Sequence, residues 1–275
     1  MKTDQAKKLT EAAMARLSKA LAAGKSEALT EYLTTMARFH HYSFRNVMLI
    51  AMQSPNATRV AGFQTWKSMG RFVKKGEKGI LILAPMVFKP KEDYRERNTV
   101  TEVEDETILR FRAVYVFDIA QTEGDDLPEL ANAQGDPGNA LTALKDLVAQ
   151  KGIALEYFEA ESGPLGCSTG GKILLRANQS PAEEFMTLVH ELAHELLHRD
   201  NRPNKTVRET EAESVAFVVS HGIGLDALGT SNDYIQLYKG DLQVLTVSLT
   251  RIQEVASEIL SSILGKPSTD AENNA

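Results

Sequence analysis

The sequence predicts an α+β fold in two units: an N-terminal unit of helices and an antiparallel sheet, and a C-terminal unit built around a helix that carries a metal-binding motif. Three observations lead there. Hydrophobic periodicity switches along the chain from the 3.6-residue repeat of helices to the alternation of strands and back. A stretch from Gln121 to Gly138, with Gly124, Pro128, Gly135 and Pro137 and no apolar period, reads as a linker between the units. Charge divides the chain as well: residues 1–91 hold 16 Lys/Arg against 5 Asp/Glu, and residues 92–275 hold 15 against 32, within a net charge of −6.

Residues 3–22 and 26–40 carry apolar side chains at helical spacing (Leu9, Met14, Leu17, Leu21; Leu29, Leu33, Met36), with Gly24 as the break between them. Shorter helices near 44–52 and 63–69 precede two β-rich runs, 79–88 and 108–118, joined by the polar, acidic stretch 91–107. Ahead of the first run, Val73-Lys74-Lys75-Gly76-Glu77-Lys78-Gly79 reads as a basic turn feeding a strand. No phosphate-binding loop is implied there, because the G-x-x-x-x-G-K-[ST] spacing is missing. Residues 1–120 therefore form the first unit and 121–138 the linker. The second unit, 139–265, begins with a helix near 139–151 and strands near 153–158 and 171–176. Helices follow over 181–199 and 206–221, and a long helix over 241–264 closes the unit with Leu242, Leu245, Leu249, Ile252, Ile259 and Ile263 as core positions. The tail 266–275 reads as disordered.

His190-Glu191-Leu192-Ala193-His194 is the chemical centre of the sequence. On a helix, residues i and i+4 share a face, so both imidazoles can reach one metal ion while Glu191 stands beside the open coordination position as a general base. Such a string arises by accident in a chain of this size about once in a hundred. Its flanks lower that further: Phe185, Leu188, Leu192 and Leu196 give the helix a buried face, Pro181 suits its first turn and Ser180 its N-cap. A catalytic zinc site takes three protein ligands and a water. His198 continues the ladder, but it lies about 12 Å along the axis from His190, too far to join it on one ion. The acidic helix around Arg208-Glu209-Thr210-Glu211-Ala212-Glu213 remains, with Glu209 and Glu213 on one face; Glu211 is the runner-up ligand, but it points to another side of the helix, where a solvated glutamate is the ordinary reading.

HExxH followed by a helix bearing Glu-x-x-Ala resembles the gluzincin-type peptidases, including the ImmA/IrrE-like peptidases. The resemblance implies a zincin-like metallopeptidase domain in which Glu209 is the third ligand and Glu213 the acidic residue that hydrogen-bonds a metal-bound histidine. It also implies that the strand before the HExxH helix, here Gly170 to Arg176, forms the cleft edge that pairs with an extended peptide. Zn2+ is the expected metal, with Mn2+ as the alternative. Tyr234, Tyr238 and His221 are the candidates for stabilising an oxyanion, none at a diagnostic spacing.

From Phe44 to Ile80, cationic residues are interleaved with aromatics: Phe44, Arg45, Arg59, Phe63, Trp66, Lys67, Arg71, Phe72, Lys74, Lys75 and Lys78. Single-stranded nucleic acid is held in this manner, with cations tracking phosphates and rings stacking on bases. Phe44-Arg45-Asn46-Val47-Met48-Leu49-Ile50, Gly62-Phe63, Trp66, Gly70-Arg71, Lys75-Gly76-Glu77-Lys78-Gly79-Ile80 and Val116-Phe117-Asp118-Ile119-Ala120-Gln121-Thr122 together resemble the N-terminal domain of ArdC-type antirestriction proteins. That resemblance implies a domain binding single-stranded DNA joined to a metallopeptidase-like domain, acting to protect incoming plasmid DNA from host restriction during conjugation. Two other readings stay open: a non-enzymatic DNA binder with a structural or vestigial metal site, and an ImmA-like peptidase that cleaves a specific repressor. The protein substrate is not legible.

At 43% hydrophobic and 25% charged residues, the 275-residue chain has room for two domains. No apolar run reaches the roughly 18 residues of a membrane span, and the N-terminus leads into no signal-like core. A cytoplasmic protein with no membrane partner is expected. The single Cys167 precludes an intrachain disulfide and cannot build a thiolate metal site.

Overall fold

A computed structural model describes residues 2–24, 27–88, 108–125, 135–200, 203–225 and 242–265. The stretch 91–107, Tyr234, Tyr238, the tail 266–275 and part of the expected linker lie outside them. Three helices open the chain: α1 (Lys2–Ala22), α2 (Glu27–Arg38) and α3 (Phe44–Gln53). In α2 the i, i+4, i+7 set Leu29, Leu33 and Met36 is buried, as its spacing requires. A short strand β1 (Val60–Gly62), helix α4 (Phe63–Ser68) and strand β2 (Arg71–Val73) follow, and then the long antiparallel pair β3 (Ile80–Phe88) and β4 (Ile108–Asp118). β4 is central, with β1 and β3 on its two sides.

The outer edge of β3 is closed by side chains. Asn46 Nδ2 donates to Leu83 O (2.8 Å) while Leu83 N donates to Asn46 Oδ1 (2.9 Å); Gln53 Nε2 donates to Leu81 O (2.9 Å) while Leu81 N donates to Gln53 Oε1 (3.0 Å). Asn46 and Gln53 are seven residues apart on α3 and so share a face. Their amides reproduce a strand's donor–acceptor pattern along an edge that would otherwise pair with another chain.

Asp118 at the end of β4 accepts from Thr58 N, Arg59 N and Ala120 N, and its own N–H donates to Gln121 Oε1. This capping box turns the chain into β5 (Thr122–Gly124), which pairs antiparallel with β2. The stretch read as a linker therefore opens with a paired strand. Three residues carry no legible period, and β5 exists through its partner: Arg71 Nε donates to Thr122 Oγ1 (2.8 Å), and the same guanidinium reaches the carbonyls of Gly124 and Asp125.

The C-terminal half comprises α5 (Asn139–Gln150), strands β6 (Ala154–Phe158), β7 (Gly166–Ser168) and β8 (Lys172–Arg176), and helices α6 (Pro181–His198), α7 (Lys205–Gly222) and α8 (Leu242–Leu264). β8 lies between β6, to which it is parallel, and β7, to which it is antiparallel. α6 starts at a full capping box between Ser180 and Glu183 with Pro181 in its first turn. No solvent layer divides the halves. One hydrophobic cluster contains Leu33, Met36 and Val47 together with Leu192, Val215 and Leu249; α2 packs on α7, and Gln253 of α8 donates to the carbonyls of His40 and Tyr42.

Replacing Asn46 by Ala leaves the N–H and C=O of half-buried Leu83 without these partners, which costs about 1 kcal/mol. Urea unfolding of Asn46→Ala should register that loss, and a change below about 0.5 kcal/mol would show that the edge needs no closure.

Candidate metal centre

α6 is buried along Phe185, Leu188 and Leu192, and α7 along Ala212, Val215 and Ala216. Their packing brings the start of α7 across from the middle of α6. His190 Nε2 and His194 Nε2 are 3.1 Å apart, and Glu209 Oε2 is 3.6 Å from each. Three donors bound tetrahedrally at about 2.0–2.1 Å are separated by roughly 3.3–3.4 Å, so the triangle fits one divalent ion of that size. These are the three residues among the described ones whose ligand atoms converge for a metal. The triangle opens onto a cleft of about 280 Å³ that Gly166, Ser168, Glu191 and Arg208 also line.

Burial holds both imidazoles neutral. It lowers His190 below the ordinary histidine range against the opposing carboxylates of Glu209 and Glu213, and it lowers His194 to about 4 with help from the His190 ring. Neutral imidazole is the form that binds metal. Glu191 is pushed up to about 7, first by burial and then by the Glu209 carboxylate. Glu213, half-buried one turn beyond Glu209, acts on His190 through its charge.

The cleft edge differs from the expected one. β8 is paired on both sides, so it cannot receive a peptide; β7 is the edge strand that lines the cleft. Arg176 N donates to Leu165 O and Thr169 N to Lys172 O, so in the antiparallel alternation the main chain of Gly166 and Ser168 turns away from β8. Gly166 has to be glycine: a Cβ there would stand 2.7 Å from Thr187 Cγ2 and 2.9 Å from Glu191 Cγ. The β7–β8 turn is pinned to α6 by Glu195, which accepts from Ser168 Oγ (2.6 Å), Gly170 N (2.8 Å) and Gly171 N (2.6 Å). Burial raises Glu195, but these bonds outweigh it and hold the carboxyl below its usual range.

His198 stands outside the triangle, as the spacing requires, yet it touches one corner of it: its Nδ1 lies 3.0 Å from His194 Nδ1. Its Nε2 lies 2.8 Å from Glu211 Oε2. Glu211 is 1% exposed, which overturns its reading as a solvated glutamate; it also accepts from Ser248 Oγ (2.6 Å) and Arg251 Nη1 (3.3 Å) on α8. The histidine ladder at 190, 194 and 198 was visible in the sequence, but partners 13 and more residues away were not. His221, twelve residues beyond Glu209, lies about 18 Å along α7 from the triangle, too far to stabilise an oxyanion there.

In the N-terminal half, Arg45, Lys67, Lys75 and Lys78 are exposed and Arg59 is half-buried. Lys74 is exposed and donates to Ala120 O, and Arg71 is engaged with β5. Phe63 is half exposed. Trp66 is a correction: it is fully buried, with Nε1 donating to Phe117 O at 2.9 Å, so no base can stack on it. Phe44 is buried as well. Phe72 on β2 is exposed, and so are Phe111 and Tyr115 on one face of β4, within the run that the sequence marks only as β-rich.

Residues 3–117 match the family model of the N-terminal domain of anti-restriction factor ArdC, and residues 146–249 match that of the IrrE N-terminal-like domain. An uncharacterized protein of Bacillus anthracis is 27% identical over 282 aligned positions, covering 86% of this chain and 48% of the relative. The chain thus spans about half the length of that curated relative. The metal-free crystal structure of antirestriction protein ArdC from plasmid R388 shares the fold, with a TM-score of 0.55 at 19% identity over 94% of this chain and 99% of that one. The Mn(II)-bound crystal structure of the same protein aligns with a TM-score of 0.47 over 85% of this chain and 98% of that one. No helix among the described residues is long and apolar enough to cross a membrane.

Glu191 takes up its proton more readily folded than unfolded, since its carboxyl is raised from 4.5 to about 7; metal-free protein therefore loses stability from this group as pH rises through that window. In Glu191→Gln the penalty is absent. The stability advantage of the variant over wild type should grow by about 1–3 kcal/mol between pH 4.5 and 8 in metal-free denaturant titrations, and a flat difference would remove the buried, protonated Glu191.

Proposed function

We propose, for a chain that belongs with the ArdC-type proteins by both of its domains and their order, that the C-terminal half is a zinc-dependent peptidase and the N-terminal half holds single-stranded DNA. The observation that carries the enzymatic half is the triangle of His190, His194 and Glu209 with Glu191 buried in the same cleft. A zinc ion bound there would supply Lewis acidity and an acidified water. His190 and His194 are kept neutral by burial and so are ready to ligate, and Glu209 brings one negative charge to the site. Glu191, poised near neutrality, is suited to take a proton from the attacking water and return it to the leaving amine. The outward main chain of Gly166 and the Ser168 carbonyl offer an extended substrate segment groups to pair with, while the Ser168 N–H is directed at Glu191 and the Glu195 clamp holds the turn beyond it.

Support for the DNA-holding half comes from the exposed cations Arg45, Lys67, Lys75 and Lys78 beside the exposed rings Phe63 and Phe72. Phe111 and Tyr115 on β4 extend the set of stacking candidates, and Trp66 leaves it. In this reading the protein works on incoming plasmid DNA during conjugation, holding the single strand while the peptidase acts on proteins near it. The cell's cytoplasm is the matching compartment.

Glu191→Gln should lower peptide hydrolysis by about 10²–10⁴-fold while zinc still binds. Plasmid transfer into a restricting host, run with the same variant, separates the two readings of protection: undiminished protection by Glu191→Gln would assign it to DNA binding alone. For the nucleic-acid half, Lys75→Ala with Lys78→Ala should reduce the slope of log K against log salt for an oligonucleotide by about 1.4, at about 0.7 per lost phosphate contact. Binding that ignores salt altogether would eliminate the DNA-holding half.

A further inference from the structure

We infer that His198 and Glu211, anchored by Ser248 and Arg251 of α8, form a one-way hydrogen-bond relay that determines which nitrogen of His194 is presented to the metal position. Both would then be positioning residues for the metal centre proposed above, and the inference rests on that reading.

The order of the protons follows from the contacts. His194 Nε2 faces His190 Nε2 and Glu209, so a metal would take the Nε2 lone pair. A neutral imidazole that gives up that lone pair keeps its hydrogen on Nδ1. The partner of Nδ1 is His198 Nδ1 at 3.0 Å, which must accept. His198 then carries its own hydrogen on Nε2, where Glu211 Oε2 stands 2.8 Å away and, as a carboxylate, can only accept. The remaining capacity of Glu211 is met by the hydroxyl of Ser248 and by Arg251, whose other arm reaches Leu197 O, next to His198 in the chain.

The opposite order fails at both ends. It would place a hydrogen on His194 Nε2, pointing at the ligand triangle, and would turn the bare Nε2 lone pair of His198 onto a carboxylate. With His198 at 3% and Glu211 at 1% exposure, there is no solvent to relieve that clash. A carboxylate partner commonly orients a metal-bound histidine directly. Here a second imidazole is interposed, and the carboxylate is held from α8, 37 and 40 residues further along the chain.

The test uses the full chain with Zn2+, ¹⁵N-labelled at histidine, and a competing chelator. Zinc-loaded wild type should show His194 protonated at Nδ1 and His198 at Nε2. His198→Phe, which keeps the volume, and Glu211→Gln should each weaken zinc binding by about 10–100-fold. Ile252→Val, in the α8 core, should lower the melting temperature without moving the zinc constant, which separates positioning from plain stability. Reversed protonation in wild type, or unchanged zinc constants in the two relay variants, overturns the relay and leaves the metal centre standing. Failure of wild type to bind zinc overturns the metal-centre reading and the relay with it. Should either relay variant fail to fold, the wild-type spectra alone decide.

Discussion

The contact between α6 and α7 governs the chemical half of this molecule. Buried small residues on α7, Ala212 and Ala216, and the buried Leu188 and Leu192 of α6 belong to one core, and the packing of the two helices brings Glu209 within 3.6 Å of both imidazoles. The same contact buries polar groups, His198 and Glu211, in a place where water cannot serve them. Such burial is destabilising unless each donor meets an acceptor. The hydrogen bonds from Ser248 and Arg251 meet that condition, which ties α8 to the two helices by polar contacts as well as by its apolar stripe.

α7 packs on α2 as well as on α6, so the helix bearing Glu209 touches both the metal-motif helix and the N-terminal half. An N-terminal half tethered by a flexible linker would leave the triangle indifferent to its state. The continuous core makes the two halves mechanically one: the carbonyls of His40 and Tyr42 hang on the side chain of Gln253, one residue beyond Ile252 in the same α8 that carries Ser248 and Arg251.

Long periodic elements were legible to within one or two residues at their ends: 26–40 against Glu27–Arg38, 181–199 against Pro181–His198, 206–221 against Lys205–Gly222. Ser180 and Pro181 announced the start of α6 because capping chemistry is local. The three-residue strands β1, β2 and β5 are not legible, since they exist only through partners far away in sequence, and β7, although it pairs with the adjacent β8, is too short to carry a period of its own. That is why β8 was mistaken for the cleft edge: nothing in Gly166-Cys167-Ser168 signals a strand outside it. Trp66 failed for a different reason. An aromatic among lysines is equally compatible with stacking and with a core, and the deciding contact is a carbonyl 51 residues away. His190 and His194 needed only helical geometry to be read ahead of the fold; Glu209 is singled out on the acidic helix by the family resemblance, and the structure brings its carboxylate to 3.6 Å from both imidazoles.

The closure of β3 by Asn46 and Gln53 has a kinetic consequence. In an ordinary sheet an amide exchanges its hydrogen when the neighbouring strand peels away. Among the described residues Leu81 and Leu83 have no neighbouring strand on their outer side; their N–H groups are released when two side-chain amides let go, and those amides ride on a helix whose Val47, Leu49 and Ile50 are fully buried. Helix and strand must therefore open as one cooperative unit. The slow hydrogens of this edge report on the docking of α3, and through it on the integrity of the whole N-terminal half.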